Sequence, residues 1–332
     1  MCPRMNGQGA EMENRQVRRL FMILSPRALP YAKKCVESLF AKASESLEMR
    51  FLTDSAADKQ ELIEVIGAML NPHRHRWWVI DDAEATERAS EKWASWPNLV
   101  TFRRGHPCWR KITDPLLFSR DNEEMTILDP DLYFPNRFNF EPTPETGVCL
   151  MWQRPNCMIP AETVRAALNA SVALARHVDI GVAQWRAGQD LAWCDWLIGK
   201  LGGEALPRIM HVESIIWSAI AMRFGGGYLD PQKWLCWQRT QWKRVLLIAG
   251  VGGTRILRNE PFHQIKCFHA GGMAKWWLAE AEQAGILDQT NKLLDVSPIR
   301  PFVELTRQQF ELEQSIKGLL RLAGYYRLMK DS

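Results

Sequence analysis

Nothing in this sequence of 332 residues pairs its cysteines: the eight, at positions 2, 35, 108, 149, 157, 194, 236 and 267, show neither C-x-x-C pairing nor zinc-finger spacing. A disulfide framework and a structural zinc module are therefore not expected, and the pattern reads as buried free thiols in a reducing compartment. Long hydrophobic runs are missing as well. The stretch from Met1 to Arg19 is polar and charged, and Phe21-Met22-Ile23-Leu24 is too short for a signal core or a membrane span, so a cytoplasmic protein is expected. Charge of one sign is not in excess either. With 42 basic and 38 acidic residues the net charge is +4, which gives no indication of a dedicated nucleic-acid binder. No internal repeat or low-complexity tract occurs.

What is there is the composition of an ordinary globular chain, 46% hydrophobic and 24% charged, long enough for one large α/β domain or two small ones. Tryptophan is the unusual count. Of the 15, ten fall between Trp152 and Trp277; core packing explains most, and flat indole faces also stack on sugar rings.

After a polar lead-in over residues 1–16, strand and helix patterns alternate. Strands are expected over Arg19 to Leu24, Met49 to Thr53, Trp77 to Ile80, Leu99 to Phe102 and the run ending at Asp129. Helices are expected over Pro30 to Ala43, Lys59 to Leu70, Ala85 to Trp93 and around Pro115 to Phe118. Such alternation predicts a mostly parallel sheet with helices on both faces. Further on, a helix is expected over Pro160 to Arg176, a strand over Val178 to Gln184 broken by Gly181, a helix over Trp193 to Leu201, and helix again beyond Ala279.

The organising stretch is Met125-Thr126-Ile127-Leu128-Asp129-Pro130-Asp131, an apolar run of strand length ending in two carboxylates one residue apart. At the carboxyl end of a strand in an α/β sheet ligands collect, and two acids there can hold a hard divalent cation that also grips a diphosphate. Asp129 and Asp131 resemble the Asp-x-Asp motif of GT-A nucleotide-sugar glycosyltransferases. Asp179-Ile180-Gly181-Val182 resembles the Asn-x-Gly-Val strand of glycosyltransferase family 8, the glycogenin and bacterial galactosyltransferase group, with Asp in place of Asn. Glu213-Ser214 is similar to that family's Asp-Gln pair, with Ser in place of Gln. His269-Ala270-Gly271-Gly272-Met273-Ala274-Lys275-Trp276 is similar to its C-terminal His-x-x-Gly-x-x-Lys motif, without the proline usual after the lysine.

The resemblance spans residues 19–278 and implies a GT-A fold with a C-terminal helical extension, and a metal-dependent hexosyltransferase that retains anomeric configuration. It implies a nucleotide-diphosphate sugar donor, a UDP-sugar first, and a glycan or lipid-linked acceptor. Asp129, Asp131 and His269 would hold Mn2+ or Mg2+, with manganese the better match to mixed carboxylate and imidazole donors. Glu213 and Asp179 would be the catalytic pair beside the sugar. Gly272 and Lys275 would meet the diphosphate, as would Arg110 and Lys111 ahead of the acidic strand, while Ser25, Arg27 and Tyr31 would bind the base, with Asp54 and Asp81 as rivals. Residues 17–140 would form the nucleotide-sugar half, residues 141–278 the acceptor-side half of the same domain, and residues 279–332 a helical segment. In that segment Leu312, Ile316, Leu319, Leu320 and Ala323 form an apolar stripe, with Lys317, Arg321, Arg327 and Lys330 near Tyr325 and Tyr326. It is read as packed on the catalytic domain, or as a peripheral contact with anionic lipid. Two other functions stay open: a nucleotidyltransferase or nucleotide-sugar hydrolase using the same crevice, and a non-catalytic carbohydrate- or nucleotide-binding protein.

Overall fold

A computed structural model describes residues 17–69, 75–188, 190–238, 240–287 and 292–325. The expected lead-in, Cys2, Leu70, Tyr326, Arg327 and Lys330 lie outside the described residues.

The chain opens with β1 (Val17–Ile23), α1 (Leu29–Lys42), β2 (Ser46–Leu52), α2 (Ala56–Met69), β3 (Arg76–Ile80) and α3 (Asp82–Lys92). Two short helices follow, α4 (Pro97–Arg103) and α5 (Arg110–Leu117), then β4 (Glu124–Leu128), β5 (Leu132–Tyr133) and β6 (Arg137–Phe138). Next come β7 (Val148–Trp152), α6 (Ala161–Asn169), β8 (Val178–Arg186), α7 (Leu191–Leu201), α8 (Val212–Phe224), β9 (Gly226–Tyr228), β10 (Trp234–Cys236), α9 (Gln241–Ile248) and α10 (Gly253–Leu257). The chain continues with β11 (Cys267–His269), α11 (Ala274–Gln283), β12 (Leu293–Leu294), β13 (Arg300–Pro301) and α12 (Arg307–Leu322).

Eight strands form one sheet in the order β13-β9-β7-β8-β4-β1-β2-β3. The stretch β4-β1-β2-β3 is parallel throughout, and β8 then enters antiparallel to both β4 and β7. Side chains alternate across the sheet: Phe21, Met125 and Ile127 enter one core with α3 to α8, while Leu20, Met22 and Leu128 enter the other with α1 and α2. Helices thus cover a large central sheet, the α/β architecture expected. Strand β8 is buried from Val178 to Trp185 without alternation, as a central strand covered on both faces must be.

Four expectations are corrected. Leu99 to Phe102 is helical, not a strand: Pro97 sits in the first turn, where its missing N–H costs nothing, and Leu99 and Phe102 share one buried face. Periodicity cannot separate so short an apolar run, so the strand reaching Asp129 is the fourth. The helix expected to Arg176 ends at Asn169, after which Ser171 takes a positive φ of 57°. Beyond Ala279 the helix runs only to Gln283. Gly285, at a φ of 64°, closes that helix, and further on, where Pro298 and Pro301 disfavour helix, β13 adds an edge to β9, with Arg300 opposite Tyr228. Helix resumes as α12, which docks through the buried Phe310 and ion pairs Arg165–Glu311 and Arg176–Glu313. Its stripe is turned outward instead of packed: Leu312, Ile316, Leu319 and Leu320 are all exposed.

Candidate metal and phosphate site

A three-stranded sheet, β10-β11-β5, leans against the large one and builds the site. β5 runs antiparallel to β11 with Leu132 opposite His269, and the amide of Ala270 donates to the carbonyl of Asp131 at 2.9 Å. On the other side the amide of Asp129 donates to the carbonyl of Gly181 at 2.9 Å. The acidic turn is therefore fixed at both ends. His269 Nε2 lies 3.2 Å from an Asp131 oxygen and 3.8 Å from an Asp129 oxygen.

The other imidazole nitrogen, Nδ1, lies 2.7 Å from Asp179 Oδ1, and the same oxygen accepts from the amide of Gly181 at 2.9 Å. Asp179, expected beside the sugar, is thus bonded to His269. Cys236, opposite His269 in the parallel β10–β11 register, brings its Sγ to 3.6 Å from Asp179 Oδ2. Burial opposes the imidazolium, yet Asp179 and Asp131 outweigh it and hold the His269 pKa well above its ordinary value. Burial likewise opposes the charge on Asp131, but His269 and Lys275 keep its carboxyl below the usual range. For Asp129 burial prevails and, together with Asp131, outweighs Lys111, raising its carboxyl.

Lys111, expected to meet phosphate, is buried between two acids, 2.8 Å from Asp129 Oδ1 and 2.6 Å from Glu213 Oε1. Burial holds the Glu213 carboxyl above the usual carboxylate range despite that neighbour. Its second oxygen has no hydrogen-bond partner among the described residues. Lys275, at the start of α11, lies 3.5 Å from Asp131 Oδ2 and 4.5 Å from the centroid of the Tyr31 ring. Gly272 needs its lack of a side chain for conformation, with φ at 67°, while the space around it is open.

These groups share a pocket of about 570 Å3, whose lining includes Asp129, Asp131, Asp179, Glu213, His269, Gly272 and Lys275. Arg110 does not line it. Its guanidinium is held by Asp54 at 2.7 Å and Asp82 at 3.1 Å, and it lines a separate pocket with Arg103 and His106. Ser25 and Arg27 also stay outside the lining. They sit on the turn after β1, at the same sheet edge as the acidic turn, because Met22 pairs with Leu128. Asp81 caps α3, accepting from the Glu84 amide at 3.0 Å. Sequence reasoning missed Arg154, Cys236 and Arg244, which also line the pocket. A lone thiol in a three-residue strand and two arginines in irregular or short helical stretches carry no motif by which to find them.

The donor set fits a divalent cation. Two carboxylates and an imidazole offer ligand atoms within 4.8 Å of one another, and oxygen with nitrogen suits manganese. All described cysteines are free thiols, and no helix among the described residues is long and apolar enough to cross a membrane.

No protein-family model matches this sequence, and no curated protein matches it. Among solved structures the chain is similar to mouse xyloside xylosyltransferase 1 (12% identity, 78% of this chain and 99% of that one, TM-score 0.47). It is also similar to the galactosyltransferase LgtC in complex with donor and acceptor sugar analogues (10% identity, 82% and 95%, TM-score 0.45). A mannosyltransferase from S. cerevisiae is similar too (10% identity, 65% and 68%, TM-score 0.41). Likeness at this level carries no weight for chemistry, which rests on the residues themselves. These three solved structures are glycosyltransferases.

Proposed function

We propose that the protein is a metal-dependent glycosyltransferase of GT-A type that moves a hexose from a nucleotide-diphosphate donor, a UDP-sugar first, to a hydroxyl of a glycan. The observation that carries this reading is the meeting of Asp129, Asp131 and His269 Nε2 at the carboxyl edge of the sheet, with Lys275 beside them. Asp129, Asp131 and His269 would hold Mn2+ or Mg2+, which supplies positive charge to a diphosphate. Lys275 adds a point charge where negative charge develops on the leaving group. Glu213, which lines the same pocket and has one oxygen without a partner among the described residues, would be the acid beside the sugar in this reading. Gln153 and Trp237 line that pocket as well and offer an acceptor a polar and a flat apolar contact. Retention of configuration belongs to this reading through the family resemblance alone. A lipid-linked acceptor reached by peripheral membrane contact also belongs to it, supported by the exposed leucines of α12 beside Lys317 and Arg321.

One observation favours a second reading, a nucleotide-binding protein that turns nothing over: the Lys111 ammonium already neutralises Asp129 at 2.8 Å. Incubating the protein with a panel of nucleotide sugars and Mn2+, with and without glycan acceptors, separates the two. Release of nucleoside diphosphate dependent on acceptor and on metal is expected. A nucleotide that raises Tm without any release supports the second reading, and release that needs no acceptor indicates a hydrolase.

A further inference from the structure

His269 shows a different chemistry on each side of its ring. Nε2 faces the two carboxylates of the acidic turn, whereas Nδ1 faces Asp179 and a thiol, Cys236, whose Sγ is 3.7 Å away. Sγ is in turn 3.6 Å from Asp179 Oδ2. The three residues come from three strands, β8, β10 and β11, all are buried, and all line the pocket, so an ion from solvent can reach them. A tetrahedral zinc, with bonds of about 2.3 Å to sulfur and about 2.0 Å to nitrogen or oxygen, separates its ligand atoms by roughly 3.3 to 3.6 Å. Sulfur already stands at close to that separation from both partners. Only Asp179 Oδ1 and Nδ1, at 2.7 Å, are closer, because a proton joins them. One thiolate and one carboxylate balance the two charges of the ion, and the sulfur selects a thiophilic cation over manganese or magnesium.

We propose that Asp179, Cys236 and Nδ1 of His269 form a second cation site, for a thiophilic divalent ion such as zinc, whose occupation empties the Asp129–Asp131–His269 site. Binding forms the metal–sulfur, metal–oxygen and metal–nitrogen bonds, releases both the thiol proton and the Nδ1 proton of the imidazolium to solvent, and leaves a neutral imidazole whose one N–H is on Nε2. That N–H donates to Asp131, 3.2 Å away, and no lone pair is left there for another ion. The soft site stands on its own three residues; the exclusion rests on the donor-metal reading above.

Cobalt(II) tests it, since a cobalt–thiolate bond gives a charge-transfer absorption in the near ultraviolet. Titration of the full chain is expected to produce that absorption, to keep it in Asp129→Asn, Asp131→Asn and Cys157→Ser, and to lose it in Cys236→Ser. Cobalt bound without the absorption in the unaltered protein overturns the proposal and needs no variant to fold; so does absorption that survives Cys236→Ser. Manganese paramagnetic resonance tests the exclusion. Zinc is expected to free bound manganese from the unaltered protein but not from Cys236→Ser, and simultaneous binding of both ions overturns it. If cobalt gives the absorption while manganese never binds, the donor-metal reading fails and the soft site stands.

Discussion

A methyl group built on Gly181 would lie 2.6 Å from Nδ1 of His269 and 2.7 Å from its Cγ. The imidazole reaches the acidic turn only because the strand beside it carries no side chain at that point. Such an overlap cannot relax without moving either the ring or the backbone of β8, and β8 lies in the middle of the large sheet.

Gly181→Ala is therefore expected to displace His269 and lower Mn2+ affinity by about 10- to 100-fold, the scale seen when a ligand loses its orienting partner. Overpacking should also cost about 1 to 3 kcal/mol of stability. Calorimetric titration with Mn2+ and urea unfolding measure the two effects; manganese bound as tightly as by the unaltered protein contradicts the geometry.

Ligand and cation variants are expected to separate. Asp131→Asn and His269→Ala should lose metal affinity and turnover together. Lys275→Ala should keep Mn2+ affinity within a few-fold while raising the barrier by about 2 to 4 kcal/mol, a loss in kcat of about 30- to 1000-fold. Metal titration beside steady-state kinetics decides this, and a Lys275→Ala enzyme with unchanged kcat refutes the role given to the ammonium.

Lys111 stands between Asp129 and Glu213, and removing it leaves the buried Glu213 and the partly buried Asp129 without their shared cation. Lys111→Met is expected to destabilise the fold by about 3 to 5 kcal/mol, because an uncompensated buried charge costs more than the pair gained. Glu213→Gln should cost less, since the ammonium keeps Asp129, and adding it to Lys111→Met should recover part of the loss. Guanidinium unfolding of the three variants gives the coupling directly.

Acid should weaken the fold through His177. This histidine is buried, and burial with Arg176 and Arg154 pushes its pKa down from 6.5 to about 4. Between those values the unfolded chain binds a proton that the folded chain refuses, so stability rises with pH across that window and is lost as pH falls through it. Its φ of 61° is one that Asn tolerates, so His177→Asn should flatten this part of a plot of Tm against pH. An unchanged slope shows that another group is responsible.

Much of the candidate site was legible in the sequence because its parts are local. Asp129 and Asp131 end an apolar run, and His269, Gly272 and Lys275 keep a fixed spacing across a strand end and a helix start. The alternation of β1 to β3 with α1 to α3 was legible for the same reason: each periodicity spans more than a turn. What could not be read depends on partners far away in the chain. Asp179 bonds a histidine 90 residues on, and Lys111 is caught between acids from β4's end and from α8. Arg110 and Lys111 are neighbours, so a helix sends them in different directions, one to Asp54 and one to Asp129. Leu99 to Phe102 misread as a strand because four apolar-rich residues carry no period long enough to choose.

The acidic turn is stitched to the large sheet through Gly181 and to the small sheet through Ala270. Neither sheet alone owns the three candidate ligands, so the cluster is assembled only when distant parts of the chain have both docked. A slip of one residue between β5 and β11 would put Phe268 where His269 belongs and turn the imidazole to the opposite side. Manganese bound at the turn would then act as a rivet across the seam, resisting any shear of one sheet past the other, and its uptake during refolding would report the last joint to close.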